Sequence, residues 1–282
     1  MLIEKVLNNN VVIIRGTSGK EQVAMGRGLG FQMKVGMHLD ADKIEKVFSI
    51  SSNNKIDTRY QELLQSIPHE ILLVTEAIID YAITVLPNKL HPSVRISLAD
   101  HIHYAIERCI QGKIIKNAML WEIKKFYSLE YSIGQDALEK IKQASGIQME
   151  EDEAGFIALH LVNAQLNDDM HNTMDITSLI NDIVNLIKYS LKIDIDENCI
   201  SYQRLITHLR YFSHRLIHAN EEHDDDESLF ISVKQEYPQS YVCTQKIYQF
   251  IDNKLSHKMT KEEMMFLTIH IERVRRECKD VV

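Results

Sequence analysis

Four histidines in this chain share one local frame, and the frame recurs as two pairs. Leu98-x-x-His101-Ile102, Ile157-x-x-His160-Leu161, Leu205-x-x-His208-Leu209 and Leu267-x-x-His270-Ile271 each hold an imidazole between two aliphatic side chains. The step from His101 to His160 nearly equals that from His208 to His270, and the step from His101 to His208 nearly equals that from His160 to His270. Self-similarity at a fixed offset marks a tandem duplication. It restricts the last two-thirds of the 282-residue chain to two copies of one architecture.

Helical geometry gives the frame its chemical meaning, since each residue advances about 100° around the axis. With Leu98 as origin, Ile102, Ala105 and Cys109 continue one apolar stripe and His101 lies on its flank. Leu267, Ile271, Val274 and Cys278 repeat that stripe beside His270. The core therefore fixes each ring without having to enclose it. His103, two positions past His101, falls on another face.

Three roles suit such histidines. A hydrogen-bonded packing role explains any one of them alone but not the fourfold recurrence. Metal ligation is open to imidazole in general. However, Asp100-His101 reverses the His-Asp order of metal-dependent phosphohydrolases, and the other three histidines have no adjoining acid. The third role is phosphoryl acceptance, in which a weak switchable charge becomes a nearly dianionic group that repels a facing surface or recruits arginine.

The N-terminal segment 1–55 differs in composition from the rest. It carries eight Lys or Arg and five Asp or Glu, a net of +3 in a chain whose total is −8. Six of the ten glycines fall between Gly16 and Gly36, and none follows Gly155. Val11 to Ile14 and Glu21 to Met25, separated by a Thr17-Ser18-Gly19 turn, predict a small antiparallel sheet within residues 2–36. Gly26-x-Gly28-x-Gly30 is not the dinucleotide fingerprint, which needs G-x-G-x-x-G between a strand and a helix. It reads either as a glycine-permitted bend that packs the sheet or as part of an RNA surface. In the second reading Asn8 and Asn10 meet base edges, Arg27 meets phosphate or stacks, and Phe31 stacks a base. A piece of this size is marginal for an independent core, which favours its dimerisation.

Beyond the polar Ser51 to Lys55 stretch the pattern turns helical. Pro68 marks a helix start, His91-Pro92-Ser93 a break and restart, and Gly112 the end of the His101 helix. A second helical domain is expected to begin near Ile176, with the acidic run from Glu221 to Glu227 as a solvated loop between helices. No apolar run approaches the ~18 residues of a membrane helix, and the N-terminus lacks a secretory pattern, so a cytoplasmic location is expected. The four cysteines form no CxxC pair, and they read as small core residues.

The segments Ile3 to Asn10 and Met25 to Gln32 resemble the co-antiterminator RNA-binding domain of the BglG/SacY/LicT antiterminators. Leu98 to Arg108 and Asp152 to Ala164 are similar to the two histidine motifs of their first regulatory domain; Leu205 to Leu216 and Glu262 to Val274 are similar to those of the second. The resemblance implies a multidomain fold: a small antiparallel β-sheet RNA-binding domain followed by two all-α helical-bundle regulatory domains. The boundaries expected are 1–55 for the RNA-binding domain, 56–65 for a linker, 66–170 for the first regulatory domain, 171–175 for a second linker and 176–282 for the second regulatory domain.

The function implied is that of a sugar-responsive transcriptional antiterminator, a switch rather than an enzyme, with no cofactor and no metal. As a homodimer it would bind a leader-mRNA hairpin through Lys5, Asn8, Asn10, Gly26, Arg27 and Phe31. His101, His160, His208 and His270 would be phosphorylated by the sugar phosphotransferase system. The sugar-specific permease (enzyme II) would inhibit through the first pair and the carrier protein HPr would activate through the second. The resemblance is nearest to the β-glucoside regulators. A phosphotransferase-regulated DNA-binding activator is the alternative, against which the β-leaning N-terminus offers no recognition helix.

Overall fold

The computed structural model describes residues 1–16, 19–48, 58–166, 170–218 and 227–279, which form two compact units divided after Met170. The first unit opens with four antiparallel strands in sequential order, β1 (Ile3–Val6), β2 (Val11–Arg15), β3 (Glu21–Met25) and β4 (Lys46–Phe48). The register pairs Ile3 with Ile14, Val12 with Ala24, and Ala24 with Val47. Strand alternation then sends two apolar sets to opposite faces. Ile3, Val12, Ile14 and Ala24 pack with Leu29 and are covered by Met33, Leu39 and Ile44 from the segment between β3 and β4.

The opposite set, Val11, Ile13, Val23, Met25 and Phe48, is buried equally well. Helices supply the contacts on its side of the molecule: Arg95 lies over the Phe48 ring, Lys46 pairs with Asp80, and Asn8 Nδ2 donates to the Leu64 carbonyl. The sequence placed the sheet within residues 2–36, but β4 comes from beyond it. Three residues of mixed polarity carry no alternation by themselves, and β4 is defined only by its partner β3.

Among the described residues six α-helices complete the first unit: α1 (Thr58–Ser66), α2 (His69–Val85), α3 (Val94–Ile110), α4 (Leu120–Phe126), α5 (Ser128–Ser145) and α6 (Glu151–Leu166). Five form the second: α7 (Met170–Leu191), α8 (Ile200–His218), α9 (Glu227–Glu236), α10 (Pro238–Leu255) and α11 (Lys261–Lys279). Helices α2 to α6 correspond in order to α7 to α11, so the duplication seen in the histidines extends to the whole bundle. Even the junctions match. Tyr127 links α4 to α5, and Tyr237 links α9 to α10 at the offset that separates His160 from His270.

Pro68 precedes α2, His91 Nδ1 lies 2.7 Å from Ser93 Oγ before α3, and Gly112 follows α3 with φ +68°, as the sequence predicts. Both stretches expected to be linkers contain helix instead. In 56–65 helix α1 begins at Thr58, a polar segment anchored by Leu64 and followed by Ile67, both buried. In 171–175, ahead of Ile176, α7 is already under way. Its threonines Thr173 and Thr177 are fully buried, and Thr177 donates its hydroxyl to the Thr173 carbonyl, which lets polar residues fill apolar positions. Thr17-Ser18, Ser51 to Lys55 and the acidic run up to Asp226 lie outside the described residues. Of the cysteines, Cys243 is buried and Cys109 and Cys199 are partly so, and these three form no disulfide.

The duplicated helix ends give a stability test. Helix α5 stops at Gly146 (φ +74°), whose N–H donates to the Lys142 carbonyl; α10 stops the same way at Ser256 (φ +53°), donating to Asp252. A left-handed backbone costs an L-residue about 1 kcal/mol that glycine escapes. Ser256→Gly is therefore expected to stabilise the second unit by roughly 0.5–1 kcal/mol. Urea unfolding followed on both units reads this; equal or lower stability would contradict the strain at Ser256.

Candidate histidine sites and RNA interface

Each histidine pair is assembled where two helices cross. Leu98 and Ile102 of α3 and Ile157 and Leu161 of α6 are all buried, and the rings between them meet: His101 and His160 have centroids 4.8 Å apart. In the second unit Leu205 and Leu209 of α8 and Leu267 and Ile271 of α11 do the same for His208 and His270, at 4.7 Å. The flank position deduced from helical geometry is realised in all four, each of which keeps partial exposure. A phenylalanine one turn before the second histidine completes each cluster, with Phe156 5.9 Å from His101 and Phe266 6.2 Å from His208.

Three of the rings, His160, His208 and His270, are held toward the neutral form. Burial, with His101 adjacent, pushes the His160 pKa down to about 3; burial, then His270 and Arg215, pushes His208 to about 4. Burial also lowers His270, helped by Arg273 and Arg204. Neutral imidazole is the nucleophilic form. Nδ1 of His160 and of His270 is sealed without a hydrogen-bond partner, at matching positions in the two units.

Sequence reasoning missed a charged couple beside each pair. Arg108, two turns after His101, donates from Nη2 to Glu153, two turns before His160, at 2.8 Å. Arg215 and Glu263 stand at the same distances along the chain from His208 and His270, and pair at 3.4 Å. The offsets of the duplication already contain this signal, but an isolated Arg or Glu on an amphipathic helix reads as solvated surface. The two copies also differ. Glu153 Oε2 lies 3.2 Å from His101 Nε2, whereas Glu263 Oε2 accepts from the Thr260 N–H at 3.0 Å while Thr260 Oγ1 accepts from the Glu263 N–H.

The N-terminal candidates divide into surface and scaffold. Lys5, Arg27 and Phe31 are exposed, Phe31 by 59%. Lys5 Nζ donates to Gln61 of α1, and the Arg27 N–H donates to Glu45, whose other oxygen lies 3.0 Å from His69 Nε2 of α2. Asn8 builds the turn between β1 and β2, its Oδ1 accepting from the Asn10 and Val11 N–H groups. Asn10 Oδ1 accepts from Gly28 N–H, which holds the loop carrying Arg27. Gly26 and Gly30 are buried because a side chain would overlap the Lys43 and Asn8 carbonyls. The loop is thus pressed against the sheet with Arg27 and Phe31 turned out.

Among the described residues, no group of three or more His, Cys, Asp or Glu is placed to hold a metal, and no helix is long and apolar enough to cross a membrane.

Residues 1–57 match the CAT RNA binding domain, and residues 76–164 and 181–274 each match the PRD domain. The chain is 45% identical over 278 residues to the transcription antiterminator LicT of Bacillus subtilis, covering 99% of this chain and 100% of that one. The chain belongs to this family of transcription antiterminators. It is likewise 45% identical to the beta-glucoside operon antiterminator of Dickeya chrysanthemi, over 99% of both chains. Among solved structures, GlcT CAT-PRDI is similar at 30% identity and TM-score 0.49, over 58% of this chain and 97% of that chain. Both relatives are named as antiterminators, and in this chain the two PRD matches fall on the two histidine-bearing bundles.

The depressed histidines have a thermodynamic consequence. A folded-state pKa below the unfolded value of 6.5 means that the unfolded chain binds protons first as pH falls. Their stabilising contribution is complete above about pH 6.5 and is lost on acidification toward pH 4, approaching about 1.4 kcal/mol per pH unit for each histidine. His160→Gln and His208→Gln should each flatten the decline of stability between pH 6.5 and pH 4 in urea titrations. Slopes equal to that of the unaltered chain would show that these rings are not held neutral.

Proposed function

We propose that this antiterminator binds, as a homodimer in the cytoplasm, an imperfect leader-mRNA hairpin that overlaps a transcription terminator, so that polymerase reads through. Arg27 and Phe31 contact bases, Lys5 contacts phosphate, and Asn8, Asn10 and Gly26 hold the reading loop in shape. The four histidines accept phosphoryl groups from the sugar phosphotransferase system and catalyse nothing. The permease phosphorylates His101 and His160 to inhibit, and HPr phosphorylates His208 and His270 to activate. A β-glucoside is the sugar class supported by the Dickeya relative.

The observation that carries this reading is the duplicated ring contact. Two pairs of partly exposed imidazoles at 4.7–4.8 Å, each fixed by four buried aliphatic side chains, are more than packing requires. Because Nδ1 is sealed in His160 and His270, Nε2 is their accepting nitrogen. A phosphoryl group there adds nearly two negative charges at a helix crossing. It thereby shifts the balance between bundle arrangements by its differential interaction with each.

Two experiments test the proposal. Arg27→Ala should weaken hairpin binding by roughly 1–3 kcal/mol, the loss of one stacked or paired base contact, while the domain stays folded. Unchanged affinity in a gel shift would remove Arg27 from the interface, and preference for duplex DNA over the hairpin would overturn the RNA target. In a read-through reporter, His101→Ala or His160→Ala should release inhibition without inducer, whereas His208→Ala or His270→Ala should weaken activation. The same sign from all four would refute the division of roles.

A further inference from the structure

The polar groups around the two ring pairs ask for something the histidines alone do not supply. Arg108 is only 5% exposed, yet its Nε and Nη1 have no hydrogen-bond partner; only Nη2 is engaged, by Glu153, and the guanidinium lies over the Tyr104 ring. A buried guanidinium with unused donors is costly unless an anion completes it.

The position of Glu153 indicates where that anion would sit. One oxygen is 2.8 Å from Arg108 Nη2 and the other 3.2 Å from His101 Nε2, so a single carboxylate spans the gap between ring nitrogen and arginine. His101 Nε2 is itself sealed beneath Glu153, so a tetrahedral phosphoryl group would form there only as Glu153 leaves, and would then occupy that same gap. Its oxygens would meet Arg108, and Glu153, as a like charge, would be driven out.

The second unit shows the arrangement with the gap open. Glu263 is drawn aside by Thr260, its pairing with Arg215 is longer, and Arg215 is about a third exposed. An open cavity of about 300 Å³ remains, lined by His208, Arg215, Phe266 and His270 and by Thr260, Glu262 and Glu263.

We propose that Arg108 and Arg215 are the phosphoryl-binding residues of the two histidine sites, each kept in reserve by the glutamate it now pairs with. The inference rests on phosphoryl acceptance by these histidines and adds what holds the group once it arrives. In the transfer, the N–P bond of a donor protonated on nitrogen breaks and a new one forms on the lone pair of a neutral imidazole. Positive charge passes from donor to acceptor ring with no net proton uptake. The acceptor ring then carries a phosphoryl group whose oxygens charge-pair with the guanidinium. The second site receives it without rearrangement; the first must expel Glu153.

The test uses the full chain, phosphorylated with phosphoramidate, in two backgrounds that each retain one pair: His208→Ala with His270→Ala, and His101→Ala with His160→Ala. Phosphorus NMR reads occupancy, chemical shift and hydrolysis lifetime of the phosphohistidine. Arg215→Met should shorten the lifetime in the second pair about tenfold, the equivalent of one charge-assisted hydrogen-bonded contact, and shift its resonance. Arg215→Lys should restore part of both. For the first pair, Arg108→Met combined with Glu153→Gln avoids a lone buried carboxylate and should shorten the lifetime similarly, whereas Glu153→Gln alone should raise occupancy. Circular dichroism establishes that each variant is folded. Lifetimes within twofold of the parent in both arginine variants would overturn the inference while leaving phosphoryl acceptance intact. Failure of the parent chain to take phosphate on any of the four histidines would overturn both.

Discussion

The contact on which the rest depends is that between two imidazoles at a helix crossing. Each ring is flanked by aliphatic residues that are essentially fully buried, so the apolar packing of α3 on α6, and of α8 on α11, fixes where the rings meet. Two full charges at that separation would repel by about 3–4 kcal/mol at an effective dielectric of about 20. Burial opposes the first protonation and the neighbouring ring opposes the second. Burial thus holds His160, His208 and His270 toward the neutral form, and a phosphoryl group of the kind proposed would act with most effect at such a crossing.

Duplication preserved that contact and let its surroundings diverge. In the first unit the arginine is enclosed, stacked on Tyr104 and bound to a buried glutamate that also faces His101. In the second, Arg204 and Arg273 act on His270, where the equivalent positions of the first unit hold Ser97 and Asn163. Thr260, in place of Glu150, forms the reciprocal cap that draws Glu263 away. One pair sits against a buried ion pair and the other in an open cleft where Arg204 and Arg273 act on His270. Different electrostatic settings on one scaffold suit the two donors of opposite effect proposed above.

The duplication also explains how much of the fold was legible in the chain itself. The bundle class, the flank position of each ring and the stops at Pro68 and Gly112 follow from spacing and from local chemistry, both of which are carried by neighbouring residues. What depended on partners distant in sequence was not legible. Strand β4 exists because β3 offers its edge; α1 is ordered by two apolar residues and by Asn8, 56 residues away from Leu64. The part Asn8 plays within the fold was not legible for the same reason. An asparagine before a turn shows hydrogen-bonding capacity but not its direction, and here its carbonyl oxygen serves Asn10 and Val11.

Arg108 and Glu153 show where repetition exceeds pattern reading. Each alone is an ordinary charged residue on an amphipathic helix, and neither hydropathy nor spacing from its own neighbours distinguishes it from solvated surface. Paired with Arg215 and Glu263 at the duplication offsets, the four become a constraint kept twice in a chain that exchanged Ser97 for Arg204 and Glu150 for Thr260 nearby. Packing cannot require it, because a buried ion pair stabilises little over apolar residues of the same volume. An arginine left with unused donors beside the proposed phosphoryl acceptor is instead a cost of the resting state that a bound anion removes.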